Sequence, residues 1–132
     1  MALLVDHQIR GLCLGDSPMI EPFSEPVSGG GVISFGLTSA GYDLRLAGEV
    51  LVFKNTSGDK VNPKLFSNPA YRQRMFDTFS LETGNEVIIP PNGYILGRSL
   101  EYLRIPRTLK GRCVGKSTLA RSGILVNTTP LE

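Results

Sequence analysis

The stretch "GRCVGKST", Gly111 to Thr118, sets a glycine, a lysine and two hydroxyl side chains in the order of a phosphate-gripping loop. The P-loop of ATPases has the spacing G-x-x-x-x-G-K and sits between a buried parallel strand and a long helix. Here only Arg112, Cys113 and Val114 separate the glycines. Upstream, "RIPRTLKGRC" carries four basic residues and a proline, which does not suit a fully buried strand. Downstream, "STLARSG" leaves room for one or two helical turns before Gly123 ends them, and no later apolar run ends in a magnesium-binding aspartate. A P-loop is therefore set aside. Its physical ingredients remain: Gly115 permits close backbone approach, Lys116 supplies a cation, Ser117 and Thr118 supply hydroxyls, and Arg121 returns one turn later. Amides, a lysine and an arginine converging on one spot suit a polyanion. On composition alone, a solvated turn with scattered basic residues fits equally well.

The elements that must position this segment read mainly as short strands. "VISFGL", "YDLRLAGEVLVF", "NEVIIPP", "GYILGRSLEYLRI" and "GILVNTTP" are rich in β-branched and aromatic residues and are separated by Gly, Pro, Asn and Asp. In "YDLRL" the alternation predicts Tyr42, Leu44 and Leu46 on one face, with Asp43 and Arg45 on the other. Leu3 to Leu14 carries Ile9, Leu12 and Cys13 at helical spacing, with Asp6 as its cap. "GDSPMIEPFSEPVSGGG" packs three prolines and four glycines into seventeen residues and predicts an irregular or extended arm. Between Lys54 and Thr83 the strand pattern stops, and "SNPAYRQRMF" predicts a short helix capped by Asn68 with Pro69 at its first position. Short strands with frequent turns favour a barrel or sandwich over a parallel α/β sheet.

Length and composition bound the function. A chain of 132 residues suits a single domain, and 41% hydrophobic content supports a real core. Fourteen basic against twelve acidic side chains give +2, too small an excess to argue for nucleic acid. No apolar run approaches the ~20 residues that span a bilayer, and Asp6 interrupts what would be the core of a secretory signal. A cytoplasmic protein without nucleic-acid or membrane partners is expected. His7 is the sole histidine, and Cys13 and Cys113 lie a hundred residues apart, so a zinc site has no ligand set. A disulfide between the two cysteines is one reading and free thiols the better one for a cytoplasmic protein; Cys113 is expected in the core and His7 on the surface.

"GRCVGKSTLARSGILVNTTPLE" closely resembles the signature of deoxycytidine triphosphate deaminases, the zinc-free family that shares its fold with trimeric dUTPases. "MIEPF", "VISFGLTSAGYDLRL" followed by "VLVF", "VNPKLF" and "IIPPNGYILGRSLEYLRIPRTL" precede it in the family's order and at roughly its spacing. The resemblance implies a distorted antiparallel β-barrel of the dUTPase-like type, with one or two short helices, assembling as a homotrimer with active sites between subunits. The reaction it implies is hydrolysis of dCTP to dUTP and ammonia. Lys116, Ser117, Thr118, Leu119, Ala120 and Arg121 match the segment that wraps the nucleotide. Lys116 and nearby amides would hold phosphate oxygens, with magnesium (Mg2+) carried by the triphosphate itself. Ser117 and Arg121 would support catalysis by positioning water and base. Zinc deaminases need a His/Cys ligand set; without one, water must be activated by a carboxylate.

The resemblance places that carboxylate, a glutamate, roughly ten residues beyond Glu132, which itself matches a loop position. The expectation is thus a single dUTPase-like domain over residues 1–132, incomplete at its C-terminus and with little or no deaminase activity alone. Alternative readings are a dUTP diphosphatase, or a bifunctional enzyme carrying dCTP through to dUMP, with dUTP or dTTP as further ligands. From another class, a non-catalytic nucleotide-binding or assembly protein would bind dCTP without turnover. "SAGYDLR" either shapes the nucleotide site or supplies a turn at Gly41 and a same-face pair, Asp43 with Arg45, the plainer reading. Arg98, Glu101, Arg104, Arg107, Lys110 and Arg112 line a triphosphate channel or a solvated strand face. Tyr42, Tyr71, Tyr94 and Tyr102 are expected to pack rather than to stack on a base.

Overall fold

A computed structural model describes residues 2–54, 60–82 and 85–128. In chain order the elements are α1 (Asp6–Leu12), β1 (Ile20–Glu21), β2 (Val27–Gly29), β3 (Val32–Thr38), β4 (Gly41–Asp43) and β5 (Leu46–Phe53). A 3-10 turn (Pro63–Leu65) and α2 (Pro69–Met75) follow, then β6 (Phe76–Ser80), β7 (Ile95–Ser99), β8 (Tyr102–Leu103) and α3 (Ser117–Arg121). The architecture is mainly β, and the strands of the described residues pair antiparallel. The strands form three separate sheets, ordered β1-β8, β2-β3-β4 and β6-β5-β7, and among the described residues they do not close into a barrel. The described residues hold three short helices where one or two were expected, and α3 takes up the helical turns that "STLARSG" allows.

The chain divides into two compact units, one made of residues 1–45 and 101–132, the other of 46–100. In the first, Ile9, Met19, Ile20 and Leu37 form a buried cluster, with Leu4, Cys13, Phe23, Tyr42 and Leu103 among the residues packed against it. Each such side chain removed from water contributes about 1.5–3 kcal/mol. Gly36 makes the arm fit. Its φ is +93°, and a Cβ there would lie 2.3 Å from the Glu25 carbonyl oxygen. The main chain of residues 24 and 25 therefore lies directly against β3, where the Leu37 amide donates to the Ser24 carbonyl at 3.0 Å. Only glycine combines that φ with that approach.

The second unit is built around β5. Val50 is 1% and Met75 0% exposed, and Phe76 and Ala47 are buried with them. Phe53 stacks on Tyr94 at 4.7 Å and meets Phe76 edge-on at 5.7 Å. Asn68 caps α2 as expected: its Oδ1 accepts from the amides of Ala70 and Tyr71, with Pro69 at the first helical position.

Several expectations are corrected. The first helix is shorter than Leu3–Leu14, and Val5 occupies the cap position. Asp6 lies in the first turn, its carboxylate accepting the His7 amide at 2.7 Å. The arm is not wholly irregular, since it contains β1 and β2. β6 interrupts the region expected to lack strands. "NEVIIPP" and, as far as Thr128, "GILVNTTP" run without strand pairing; Ile88 and Leu125 are 84% and 89% exposed. An apolar, β-branched run becomes a strand only if a partner edge is within reach. The "YDLRL" alternation fails at Leu46, which is 52% exposed, because β4 ends at Asp43 and β5 starts afresh at Leu46.

Candidate functional site

The signature segment forms an extended lead, a short helix and a glycine stop. Lys116 is extended, with φ −80° and ψ 140°, and α3 starts at Ser117. Gly123, at φ +78°, ends the helix. The Gly123 amide donates to the Ala120 carbonyl at 3.1 Å and the Ile124 amide to that of Leu119 at 2.9 Å. This reverse-turn cap needs a left-handed residue after the helix, which the sequence supplies as glycine. Ser122 adds a side-chain bond, its hydroxyl donating to the Thr118 carbonyl at 3.1 Å.

Gly115 lies close to the returning chain, because a Cβ on it would stand 3.4 Å from the Val126 Cβ. Arg112, Cys113, Val114 and Gly115 face Val126, Asn127 and Thr128 across a recess of ≈330 Å³. The Thr128 hydroxyl donates across it to the Cys113 carbonyl at 3.2 Å. Cys113 is half-buried rather than a core residue, and both cysteines are free thiols. Burial raises the Cys13 thiol above its ordinary value, opposed by backbone hydrogen bonds from Ile20 and Met19.

Of the expected site residues, Lys116 has a charged partner among the described residues. Its ammonium donates to Oδ2 of Asp43 at the end of β4. The two side chains are 25% and 33% exposed. Ser117, Thr118, Ala120 and Arg121 are exposed, and Leu119 is half-buried. The segment thus presents hydroxyls and a guanidinium outward while its lysine is held. Asp43 also lines a second recess, ≈470 Å³, together with Ser34, Thr38 and Ser39. The ion pair therefore links the wall of this recess to the residue that follows the wall of the other.

The expected same-face pair of Asp43 with Arg45 is not formed. Arg45 instead donates twice to Glu101: its Nε to Oε1 at 2.7 Å and its backbone amide to Oε2 at 2.9 Å. The Arg45 guanidinium lies 4.7 Å from the Phe35 ring centre, and the Glu101 side chain is fully buried. Gly41 is not the turn residue either, because the β3–β4 turn is Ser39–Ala40 and Gly41 opens β4 opposite Thr38. Tyr42 does pack. Its hydroxyl accepts the Ser24 amide at 2.9 Å, and burial pushes its phenol above the ordinary value.

The basic stretch does not act as one surface. Glu101 is buried, and Arg104 pairs with Glu21 at 2.6 Å while lying over the Tyr102 ring at 4.8 Å. Tyr102 is accordingly exposed rather than packed. Of that stretch, Arg112 lines the smaller recess. His7 is exposed, as expected. Glu132 lies outside the described residues. Among the described residues no group of three or more His, Cys, Asp or Glu side chains is placed to hold a metal ion, and no helix is long and apolar enough to cross a membrane.

Sequence reasoning named Asp43 and Glu101 within longer stretches but did not identify their partners, Lys116 and Arg45. The visible signal for Asp43 was its charge within a strand-like alternation, which does not identify a partner.

A sequence profile of the family described as dCTP deaminase-like matches residues 3–131. The chain is 46% identical over all 132 residues to a protein of Granulibacter bethesdensis named dCTP deaminase, covering 67% of that protein. It is 46% identical to one of Anaplasma phagocytophilum and 47% to one of Acidobacterium capsulatum, both with the same name, covering 66% and 67% of them. The chain thus spans about two thirds of the length of these relatives.

Proposed function

Because the chain belongs to the dCTP deaminase-like family, we propose that it serves hydrolytic deamination of dCTP to dUTP and ammonia. The observation that carries this reading is the similarity to proteins named dCTP deaminase, which extends over 100% of the chain. It is supported locally by the signature segment, whose lysine, hydroxyls and arginine occupy one turn and one short helix.

In this reading Lys116 and the hydroxyls of Ser117 and Thr118 meet the triphosphate, which brings its own magnesium. Leu119 and Ala120 complete the wrap, with Leu119 anchoring the helix from its half-buried side. Water adds to carbon 4 of the cytosine ring, and the amino group leaves as ammonia after taking up a proton. Ser117 and Arg121 position water and base. The general base is a carboxylate. Asp43 and Glu101 are each committed to a cation, so neither is assigned that role. Closure of the sheets into a dUTPase-like barrel, a homotrimer with sites between subunits, and a cytoplasmic location belong to the same reading. Exposed apolar side chains such as Val114 and Leu125 give an assembly surface to cover.

The test is product analysis of the purified protein with dCTP and magnesium. Ammonia with dUTP supports deamination. Production of dUMP with pyrophosphate assigns a bifunctional enzyme, and dCTP binding without turnover by a protein that carries the general-base carboxylate assigns a binding protein. Replacing Lys116 with Ala is expected to raise KM for dCTP by about one to two orders of magnitude, the loss of a charge-assisted contact, with steady-state kinetics as the measurement.

A further inference from the structure

We propose that Asp43 is a positioning residue for the triphosphate site, holding the Lys116 ammonium in place before the nucleotide arrives and remaining bound to it afterwards. This rests on the reading that Lys116 meets the triphosphate. The two ends of the pair differ in rigidity. Asp43 closes β4, where its Cα partner in β3 is Gly36. Gly36 is pressed against the main chain of residues 24 and 25. The neighbouring Tyr42 hydroxyl fixes the same arm through the Ser24 amide. The carboxylate is therefore delivered from backbone held on two sides.

Lys116 stands in extended chain just ahead of α3. A lysine there, carried on a flexible four-carbon stem, would sample many rotamers. The pair with Asp43 removes that freedom in advance, which lowers the entropy lost when a ligand binds. An ammonium has three donors, and Oδ2 of Asp43 takes one, leaving two for phosphate oxygens. The partial exposure of both side chains shields the pair from full solvent screening yet leaves it within a ligand's reach. The adjacent pair, Arg45 with Glu101, is satisfied internally and does not compete for Lys116.

The experiment uses the complete purified protein and reads Kd for dCTP by calorimetry, KM and kcat by ammonia release, and melting temperature. Asp43→Asn is expected to weaken dCTP binding and raise KM about tenfold with kcat changed by less than about twofold. Asp43→Glu, which keeps the charge, is expected to recover part of that loss. In a Lys116→Met background, Asp43→Asn is expected to add nothing further, because the partner is gone. Tighter dCTP binding by Asp43→Asn would make Asp43 a competing anion and overturn the proposal. So would equal losses in both backgrounds, or a lowered melting temperature with unchanged KM. If the unsubstituted protein neither binds nor deaminates dCTP, the functional reading itself fails. Normal wild-type turnover with uncoupled variants removes only the assignment of Asp43.

Discussion

Two ion pairs leave the same short stretch of chain and end at different depths. From Arg45, a guanidinium and a backbone amide grip Glu101, whose side chain is fully buried. From Asp43, two residues earlier, a carboxylate holds Lys116 in a pair that remains a quarter to a third exposed. A buried carboxylate left without its cation cannot turn to water, whereas a partly exposed lysine can. The difference separates a contact that the fold requires from one that a ligand is able to share.

The largest expected effect tests the deeper pair. Glu101→Gln should lower unfolding free energy by about 3 kcal/mol in chemical denaturation, because it leaves buried donors poorly matched. A loss no greater than that of a surface substitution would erase the contrast. Gly36→Ala should cost about 2 kcal/mol, since the new Cβ meets the Glu25 carbonyl and the positive φ disfavours any side chain. As Gly36 is paired with Asp43, this variant should also weaken dCTP binding, which Glu101→Gln need not do at temperatures where it stays folded. Asp43→Asn should cost at most about 1 kcal/mol of stability, the range of partly exposed pairs. Equal destabilisation by Asp43→Asn and Glu101→Gln would make both pairs structural.

The smallest expected effect comes from Arg10 and Glu25, paired at 2.8 Å on the surface. The hydrogen bond from Arg10 holds the Glu25 carboxyl below its ordinary value of 4.5. A carboxyl that is more acidic when folded contributes stability above its unfolded pKa and loses it as pH falls through the folded value. Denaturation curves of the protein and its Glu25→Gln variant should therefore differ slightly at neutral pH and converge as the pH falls through the lowered value of the folded carboxyl.

Local chemistry was readable wherever one residue and its near neighbours decide the outcome. Asn68 followed by Pro69 starts α2, and Gly123 stops α3, because caps are satisfied within a few residues. Strand assignments fared less evenly. "NEVIIPP" has the composition of a strand and joins no sheet among the described residues, while "FDTFS" inside a supposed loop pairs with β5 along five residues. The order of family stretches and the Lys116–Arg121 segment were also legible, and the profile match over residues 3–131 agrees with them.

By itself, the sequence determined the family, the mainly β character and the position of the lysine-to-arginine segment, all properties carried by residue type and order. Tertiary structure alone decided the charge partners, because Asp43 lies 73 residues from Lys116 and Arg45 lies 56 from Glu101. Charge has no periodicity that points across such distances. It also decided that Leu46 faces solvent, since a break between β4 and β5 resets which side of the chain is inward. A period of two holds only while the strand continues.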